Sequence, residues 1–331
     1  MIITKTPYRI SFFGGGTDLN QWFKENGGAV ISTSIDKYCY ISCRYLPKFF
    51  DHNYRFVYSK IESINEISEI QHPAIKGLLE YLDWEKGIEL HHDGDLPARS
   101  GLGSSSSFTV GMLNALYALR GQYISKYELA KQAIHIEQNV LKENVGSQDQ
   151  IAAAYGGFNK IEFFGEKSFK VSPIIIPNER LNKLEDNLLL FFTGIFRYAS
   201  EIEKSKIANF SSKHLQLKKM HEMVDNSIDI LVDSSRNIDD FGLLLNEGWK
   251  HKKALSNLVS NSAVDEIYDK AIKSGAIGGK LLGAGGGGFI LFYAPQDQHR
   301  KIIDNLNYLT HVTFKFENQG STVALYQPNG L

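Results

Sequence analysis

The stretch DLPARSGLGSSSSFTVGMLNALYAL (95–119) runs from a turn rich in glycine and serine directly into an apolar segment. The apolar residues recur at helical spacing on two faces, which predicts a buried helix. They are Phe108, Met112, Leu116 and Leu119 on one face, and Val110, Leu113 and Tyr117 on the other. Because a helix start offers amide groups and a positive dipole end, and glycine allows close backbone approach, the sequence predicts an anion-binding site at this junction.

Other interpretations of the same turn are weaker. A flexible linker or an ordinary serine N-cap is the alternative, but a linker would not run into so apolar a helix. Two standard nucleotide motifs are absent from the sequence. A Walker A motif aligned on the Gly-Lys pair at 279–280 would need glycine at position 274 and serine or threonine at position 281. This chain has Ser274 and Leu281 there. The loop at 14–19 ends in Leu19, where a Rossmann motif needs a third small residue.

The composition is that of a globular protein. The length of 331 residues predicts roughly two domains. Hydrophobic residues make up 43% of the chain and charged residues 22%, as in an average globular protein. The formal charge of −1 provides no overall field to attract nucleic acid or an anionic membrane. Cys39 and Cys43 lie about 13 Å apart on one strand face, too far for a disulfide. Without a signal-peptide core or a long apolar stretch, we expect a cytoplasmic protein.

Periodicity divides the chain into a first part rich in strands, a helical middle, and a mixed second half. We expect strands near 2–6, 8–13, 29–35, 37–45, 54–60, 89–96, 157–164, 167–176 and 187–193. We expect helices within 103–155 and 198–274, and a short helix before two final strands in 312–327. A glycine-rich strand pair is expected at 278–294. The polar stretch 177–187 is interpreted as a connector, so the predicted domains are 1–180 and 181–331.

Three segments resemble, in order, the motifs of the GHMP kinase superfamily, which contains galactokinase, homoserine kinase, mevalonate kinase and phosphomevalonate kinase. PYRISFFGGGTDL (7–19) resembles the first motif, LPARSGLGSSSSF (96–108) the phosphate loop, and KLLGAGGGGFIL (280–291) the third, glycine-rich motif. The resemblance implies an α+β fold, with a ribosomal S5 domain 2-like N-terminal domain and a ferredoxin-like C-terminal domain. It also implies ATP between the domains and a glycine-rich motif packed on the phosphate loop. From the residues alone, that motif predicts only a bulge or a tight hairpin.

The resemblance assigns the ATP phosphates to the phosphate loop. The residues implied to bind them are Ser100, Gly101, Leu102, Gly103, Ser104, Ser105 and Ser106. Arg99, just before these residues, is either a solvated charge or a further contact to phosphate.

Glu137 lies on the apolar face of a helix predicted near 125–141, three residues after Ile134 and four before Leu141. A buried carboxylate is costly without a cation, so the position predicts a positively charged partner. One possibility is a buried ion pair with lysine or arginine. The resemblance instead implies Mg²⁺, held by Glu137 and Ser105 with phosphate oxygens and water completing the coordination.

Asp149 lies in the first turn of a predicted helix, where Ser147 and Gln150 have the spacing of a capping box. The spacing alone favours simple stabilisation of the helix dipole. The resemblance implies instead that Asp149 is the catalytic carboxylate, which orients the acceptor hydroxyl and takes its proton. It also implies that Arg9 lies beside Asp149 and stabilises the transferring phosphoryl group. Without the resemblance, Arg9 would be an edge-facing charge on a strand.

The resemblance places the acceptor beside the first motif, at Gly15, Gly16, Thr17 and Asp18. Asp18 has an alternative role as a helix N-cap. The GGGTD of this chain replaces the commoner GEHTD, which disfavours galactose.

Four segments, GGGTDL, SGLGSSSSF, GSQDQ and FFTGIFRYAS (191–200), are most similar to family members that phosphorylate the anomeric hydroxyl of D-glycero-D-manno-heptose 7-phosphate. That reaction makes the 1,7-bisphosphate used for nucleotide-activated heptose and surface glycans, and fucokinase-like enzymes are the alternative. An acceptor that already carries phosphate needs cations, for which Arg197, together with Lys37 or Arg44, is the candidate set. Solvation at a strand edge or in a loop explains these charges equally well.

From another class, the same fold can bind ATP and sugar as a sensor without turnover. The presence of Arg9, Ser105, Glu137 and Asp149 together favours an enzyme. The sequence leaves the oligomeric state open.

Overall fold

The structure is a computed structural model that describes residues 1–98, 100–165, 168–195 and 199–328. Two sheets organise these residues, one of nine strands and one of four. Arg99 and Arg197, both named above as candidate phosphate contacts, lie outside the described residues.

Two long antiparallel strands, β1 (Ile2–Phe13) and β2 (Gly28–Tyr45), form the centre of the larger sheet. The sequence predicted two short strands in each place. The structure joins them across a register shift at Pro7/Tyr8, where the strands bend and continue. Cys39 and Cys43 lie on the buried face of β2 as free thiols, as their spacing predicted.

The rest of the first half completes this sheet and covers it with helices. The further strands are β3 (Tyr54–Val57), β4 (Ile61–Ile64), β5 (Ile88–Gly94), β6 (Phe158–Phe164) and β7 (Ser168–Pro173). The helices are α1 (Asn20–Asn26), α2 (Pro73–Tyr81), α3 (Ser104–Leu119), α4 (Lys126–His135) and α5 (Gln148–Tyr155). A π-helical turn, Ile136–Val140, extends α4 and carries Glu137.

Helix α3 is the buried helix that its two apolar stripes predicted. It packs against β1 and β2 on one side and against α4 and α5 on the other. Its buried positions run almost continuously from Ser106 to Leu119. The helix start is therefore held rigidly at the edge of the core.

The second sheet contains four antiparallel strands in the order β11-β8-β10-β9. Its elements are α6 (Asn178–Asp186), β8 (Leu188–Phe192), α7 (Ala199–Ala208), α8 (His214–Val232), α9 (Asp239–Lys253), α10 (Ser262–Lys273), β9 (Gly278–Leu281), β10 (Phe289–Tyr293), α11 (Gln296–Asn305) and β11 (Thr310–Val312). This strand order is that of a ferredoxin-like domain, with extra helices after its first strand.

One feature of the second half differs from the prediction, and the pairing of the final strands was not predicted. The stretch 177–187 contains helix α6 and is not a connector. Its composition is polar and Leu184 is its buried residue, so it shows no helical pattern of apolar residues. The final strands β12 (Phe316–Glu317) and β13 (Thr322–Tyr326) pair with β2 and β1. The chain thus returns to the first sheet after residue 312. Within the described ranges, no helix has the length and apolar character needed to cross a membrane.

Candidate active site

The N-terminus of α3 is shaped by the turn that precedes it. Gly103 occupies the N-cap position with φ +76°, a left-handed conformation that glycine adopts readily. The first hydrogen bond within the helix joins the Ser107 amide to the Gly103 carbonyl at 2.9 Å. The amides of Ser105 and Ser106 precede that bond, and the Ser105 side chain is exposed. This end of the helix can receive an anion.

Two residues of the phosphate loop serve its packing. Leu102 is fully buried, and its carbonyl accepts a hydrogen bond from the Arg9 amide at 3.0 Å. Ser100 is also fully buried, and its carbonyl accepts from the Phe289 amide at 2.9 Å. Both were predicted to bind the phosphates of ATP. Their buried side chains hold the loop in place, and their contact with phosphate stays a prediction.

The glycine-rich motif of the C-terminal half packs directly on the phosphate loop, as the resemblance implied. A Cβ atom on Gly283 would lie 2.6 Å from Gly101 Cα, and one on Gly101 would lie 2.7 Å from the Leu282 carbonyl. A Cβ on Gly288 would lie 2.3 Å from the carbonyl of Ser100. Only glycine permits this backbone-to-backbone contact, so both halves of the chain build the site.

Arg9 and Asp149 form a bidentate ion pair at the start of α3. The Arg9 Nε and Nη2 atoms donate to Oδ1 and Oδ2 of Asp149 at 2.8 and 2.7 Å, and Nη1 donates to the Gly101 carbonyl at 2.7 Å. Arg9 is 4% exposed and Asp149 26% exposed. A Cβ on Gly103 would lie 3.5 Å from Asp149 Oδ2. The phosphate loop, the guanidinium and an accessible carboxylate therefore meet at one point.

The capping box predicted from Ser147 and Gln150 was wrong. The hydroxyl of Ser147 accepts a hydrogen bond from Gln138 Nε2 at 3.1 Å, and the side-chain amide of Gln150 donates to Glu137. Both side chains bind residues of the π-helical turn after α4, and such distant contacts cannot be predicted from local spacing.

Glu137 is buried among neutral hydrogen-bond donors. Its Oε2 atom accepts from Ser106 Oγ at 2.9 Å and from Gln150 Nε2 at 2.5 Å. Its Oε1 atom is buried, with no partner in the described part of the chain. Burial raises the pKa of Glu137 to about 7, against the effect of the Gln150 hydrogen bond. Among the described residues no lysine or arginine forms an ion pair with Glu137, so the predicted buried salt bridge is absent from them.

The surroundings of Glu137 fit a magnesium ion. A buried carboxylate with one unsatisfied oxygen is a hard oxygen ligand beside the phosphate loop, and Mg²⁺ takes few protein ligands. Ser106 donates to Glu137, and Ser105, the serine predicted to hold the metal together with Glu137, is exposed one position earlier in α3.

Asp18 lies beside the residues at the start of α5. Its Oδ1 accepts from the Gly16 amide at 2.8 Å and its Oδ2 from Gln148 Nε2 at 2.9 Å. A Cβ on Gly146 would lie 1.9 Å from Asp18 Oδ2. Burial raises the pKa of Asp18 above its ordinary value, while the Gly16 hydrogen bond opposes the rise. The N-cap of α1 is Leu19, so Asp18 does not have its alternative role as the cap.

The other residues of the first motif differ in exposure. Thr17 is fully buried, and its hydroxyl donates to the carbonyls of Gly14 and Ala29 at 2.8 and 2.9 Å. It stabilises the turn, and its contact with the acceptor stays a prediction. Gly15 is partly exposed, and a Cβ there would lie 3.9 Å from Gln148 Nε2.

Sequence reasoning missed two buried lysines, of which Lys280 joins the two halves of the molecule and Lys252 acts within the C-terminal half. Lys280 Nζ donates to the carbonyls of Ser11 and Phe12 at 2.9 and 2.6 Å, which ties β9 to β1. Lys252 Nζ donates to the carbonyls of Leu281 and Gly283, both at 2.7 Å, and so holds the glycine-rich motif. Burial lowers the pKa of Lys280 to about 7. For Lys280, the available signal was a lysine inside an otherwise apolar predicted strand.

Two candidate cations for an acceptor phosphate, Lys37 and Arg44, already pair with carboxylates. Lys37 forms an ion pair with Asp36 at 3.0 Å, and Arg44 one with Glu89 at 2.6 Å. Within the described residues, no recorded hydrogen bond or ion pair connects Lys37 or Arg44 with Arg9 or Asp149.

Comparison with known proteins agrees with the geometry. The family model for the GHMP kinases N terminal domain matches residues 68–157, and that for the GHMP kinases C terminal matches residues 231–309. The chain is 33% identical over 322 residues to D-glycero-alpha-D-manno-heptose 7-phosphate kinase of Campylobacter jejuni, covering 92% of this chain and 93% of that protein. The chain belongs to the GHMP kinase family. It is an enzyme of the class that transfers phosphate to an alcohol group.

Further relatives of this GHMP kinase differ in length and fold similarity. It is 29% identical to L-fucokinase/L-fucose-1-P guanylyltransferase of Bacteroides fragilis, over 89% of this chain but 34% of that protein. The fold matches the crystal structure of a D-glycero-D-manno-heptose 1-phosphate kinase from Bacteroides thetaiotaomicron with a TM-score of 0.81 and 24% identity, over 99% and 100% of the two chains. It matches Lactococcus lactis galactokinase complexed with galactose with a TM-score of 0.71 and 18% identity, over 97% and 95%. Like the strand order, these structures identify the two-domain GHMP kinase fold.

Proposed function

We propose that this GHMP kinase transfers the γ-phosphate of ATP to the anomeric hydroxyl of a sugar phosphate, with D-glycero-D-manno-heptose 7-phosphate as acceptor and the 1,7-bisphosphate as product. One observation carries the proposal: the accessible carboxylate of Asp149 is fixed by Arg9 against the start of α3. The choice of acceptor rests on the 33% identity to the Campylobacter jejuni enzyme.

The donor side of the site is the phosphate loop. The first-turn amides of α3 and the dipole of this helix hold the phosphates of ATP, with the exposed Ser105 hydroxyl beside them. Glu137 holds Mg²⁺ together with a serine of the loop, Ser105 or Ser106. The metal, when bound, neutralises phosphate charge.

The acceptor side is built around Asp149. Its bidentate pairing with Arg9 fixes the plane of the carboxylate, while 26% exposure leaves it open to a ligand. Asp149 orients the acceptor hydroxyl and takes its proton as the oxygen attacks phosphorus. The Arg9 guanidinium, anchored to Gly101, adds positive charge where negative charge develops in the transition state. Asp18, with Gly15 and Gly16, binds the sugar beside Gln148.

The test is ADP release with a panel of acceptors: both anomers of heptose 7-phosphate, fucose, galactose and mevalonate. We expect turnover with heptose 7-phosphate. Fucose is the second candidate because of the 29% identity to the Bacteroides fragilis protein. Absence of turnover with every acceptor would contradict the proposal, and ATP and sugar binding without ADP release would identify a sensor.

The same assay tests the role of Asp149. We expect Asp149→Asn to lower kcat by about a thousandfold with the KM for ATP unchanged, because a general base contributes up to about four orders of magnitude. The matched control is Asp297→Asn, since Asp297 is an exposed carboxylate in the first turn of α11. If Asp149 only stabilised a helix dipole, the two variants would behave alike.

A further inference from the structure

Helix α7 directs one ion pair towards the interior. Glu203 and Lys206 lie one turn apart, with Lys206 Nζ 2.6 Å from Glu203 Oε1, and their side chains are 14% and 4% exposed. Glu201 and Lys204 on the same helix are exposed. Surface helices normally keep their charges in water, so the inward pair requires an explanation.

Contacts connect α7 to the turn that carries Asp18. Asn209 Nδ2, just after α7, donates to the Leu255 carbonyl at 2.9 Å, and Ser205 Oγ lies 2.8 Å from Ser256 Oγ. A Cβ on Gly16 would in turn lie 3.8 Å from Leu255 Cδ1. Leu255, which contacts both, therefore links α7 of the C-terminal half to the glycine turn of the N-terminal half.

Electrostatic interactions also connect the ion pair of α7 with Asp18. Burial raises the pKa of Glu203, the charge of Lys206 opposes this rise, and the charge of Asp18 adds to it. Burial is also the main cause of the raised pKa of Asp18, and the charge of Lys206 is among the smaller influences that oppose that rise. The charges of Lys206 and Asp18 therefore act on Glu203, and the charge of Lys206 also acts on Asp18.

One oxygen of this ion pair is unsatisfied. Glu203 Oε2 is buried, and the part of the chain that the structure describes gives it no hydrogen-bond partner. A buried carboxylate oxygen without a donor is costly, so this atom has a strong demand for one. A metal cation is disfavoured because Lys206 already pairs with Glu203 and the charge of Lys252 also acts on it. A neutral hydroxyl donor satisfies the oxygen without adding charge.

We infer that Glu203 is a second acceptor-binding carboxylate, contributed by the C-terminal half, whose Oε2 accepts a hydrogen bond from a hydroxyl of the sugar. Lys206 is a positioning residue that holds the other oxygen of Glu203. The inference rests on the proposed sugar-kinase function and adds to it a determinant of acceptor binding outside the three motifs. A polyhydroxylated acceptor would thereby bridge Asp18 on one half and Glu203 on the other.

The experiment compares Glu203→Gln with Glu201→Gln, an exposed glutamate on the same helix. We expect the first to raise the KM for the acceptor by about tenfold or more and to leave the KM for ATP unchanged, because a hydrogen bond to a charged group is lost. The second should behave like the unchanged chain. A series of monodeoxy acceptors then identifies the hydroxyl, since the analogue that lacks it should have the same KM with the unchanged chain and with Glu203→Gln.

Three results would overturn the inference. Equal acceptor KM values for Glu203→Gln and Glu201→Gln would do so, while leaving the sugar-kinase proposal intact. Equal rises in the KM values for acceptor and ATP would show that Glu203 merely supports the fold. Absence of turnover by the unchanged chain would remove both proposals together.

If Glu203→Gln does not fold, Lys206→Met against Lys204→Met replaces it. Release of Glu203 from its positioning partner should raise the acceptor KM selectively in Lys206→Met, and an unchanged value would contradict the inference.

Discussion

Two carboxylates at the start of α3 have opposite surroundings. Asp149 is partly exposed and held by the permanent cation Arg9, whereas Glu137 is buried and accepts hydrogen bonds from neutral donors, among them Ser106 and Gln150. Burial raises the pKa of Glu137 to about 7, and one of its oxygens is unsatisfied within the described residues. The difference shows how one fold gives two chemically similar groups separate tasks. A carboxylate with a fixed cation is suited to orient a substrate, and one without a cation is suited to hold a metal ion.

After the loss of Asp149 itself, the largest effect should follow from removing its fixed cation. We expect Arg9→Met to lower kcat by about a hundredfold or more, because Asp149 loses its orientation and the transition state loses a positive charge. Steady-state kinetics of ADP release would measure this. Arg44→Met is the control, since Arg44 pairs with Glu89. A loss of similar size in both variants would show that the effect is not specific to the Asp149 pair.

A smaller effect is expected for the metal. Glu137→Gln should raise the apparent KM for Mg²⁺ by at least about tenfold, with the acceptor KM unchanged. Because metal binding requires the ionised carboxylate and burial raises the pKa of Glu137 to about 7, the KM for Mg²⁺ of the unchanged chain should rise about tenfold from pH 8 to pH 6. Glu137→Gln should abolish this pH dependence, and Glu128→Gln, at a position in α4 with a 47% exposed side chain, should keep it. An identical pH profile in all three proteins would argue against Glu137 as a ligand.

The smallest effect concerns stability without metal. Burial raises the pKa of Glu137 from 4.5 to about 7, so between these values the folded state holds a proton that the unfolded state has released. The free energy of unfolding should therefore fall as pH rises through this window, by up to about 3 kcal/mol, and then stay constant with respect to this group. Urea unfolding at both ends of the window would measure the fall. Glu137→Gln should remove it and Glu128→Gln should retain it, and parallel curves for the two variants would contradict the assignment.

Sequence patterns predicted the parts of the molecule that depend on local periodicity. Helix α3 was predictable because its apolar stripes recur over four turns, and β1 and β2 because their side chains alternate. Helix α6 was not, since a single buried leucine leaves almost no periodic signal.

The site shows the same limit more sharply. Residue spacing suggested a capping box for Ser147 and Gln150, but their partners lie in the segment after α4. Lys280 belongs to the site only because β9 lies against β1, a contact between positions 269 and 268 residues apart. Side-chain direction in the turn at Thr17 likewise depends on Ala29. Long-range contacts of this kind have no local pattern, so only the resemblance brought Arg9 and Asp149 together in advance.

The return of β12 and β13 to the first sheet makes the ferredoxin-like unit an insertion in the architecture of its neighbour. The amino group of Met1 donates to the Gln327 carbonyl, and β13 covers the outer side of β1. A single proteolytic cut between the two sheets therefore cannot release either one as an intact lobe. Any such cut would separate β12 and β13 from the β1 and β2 strands with which they pair. Separation of the lobes would require excision of an internal segment and religation, and a circularly permuted gene opened within that segment is the natural route to independent expression of the first lobe.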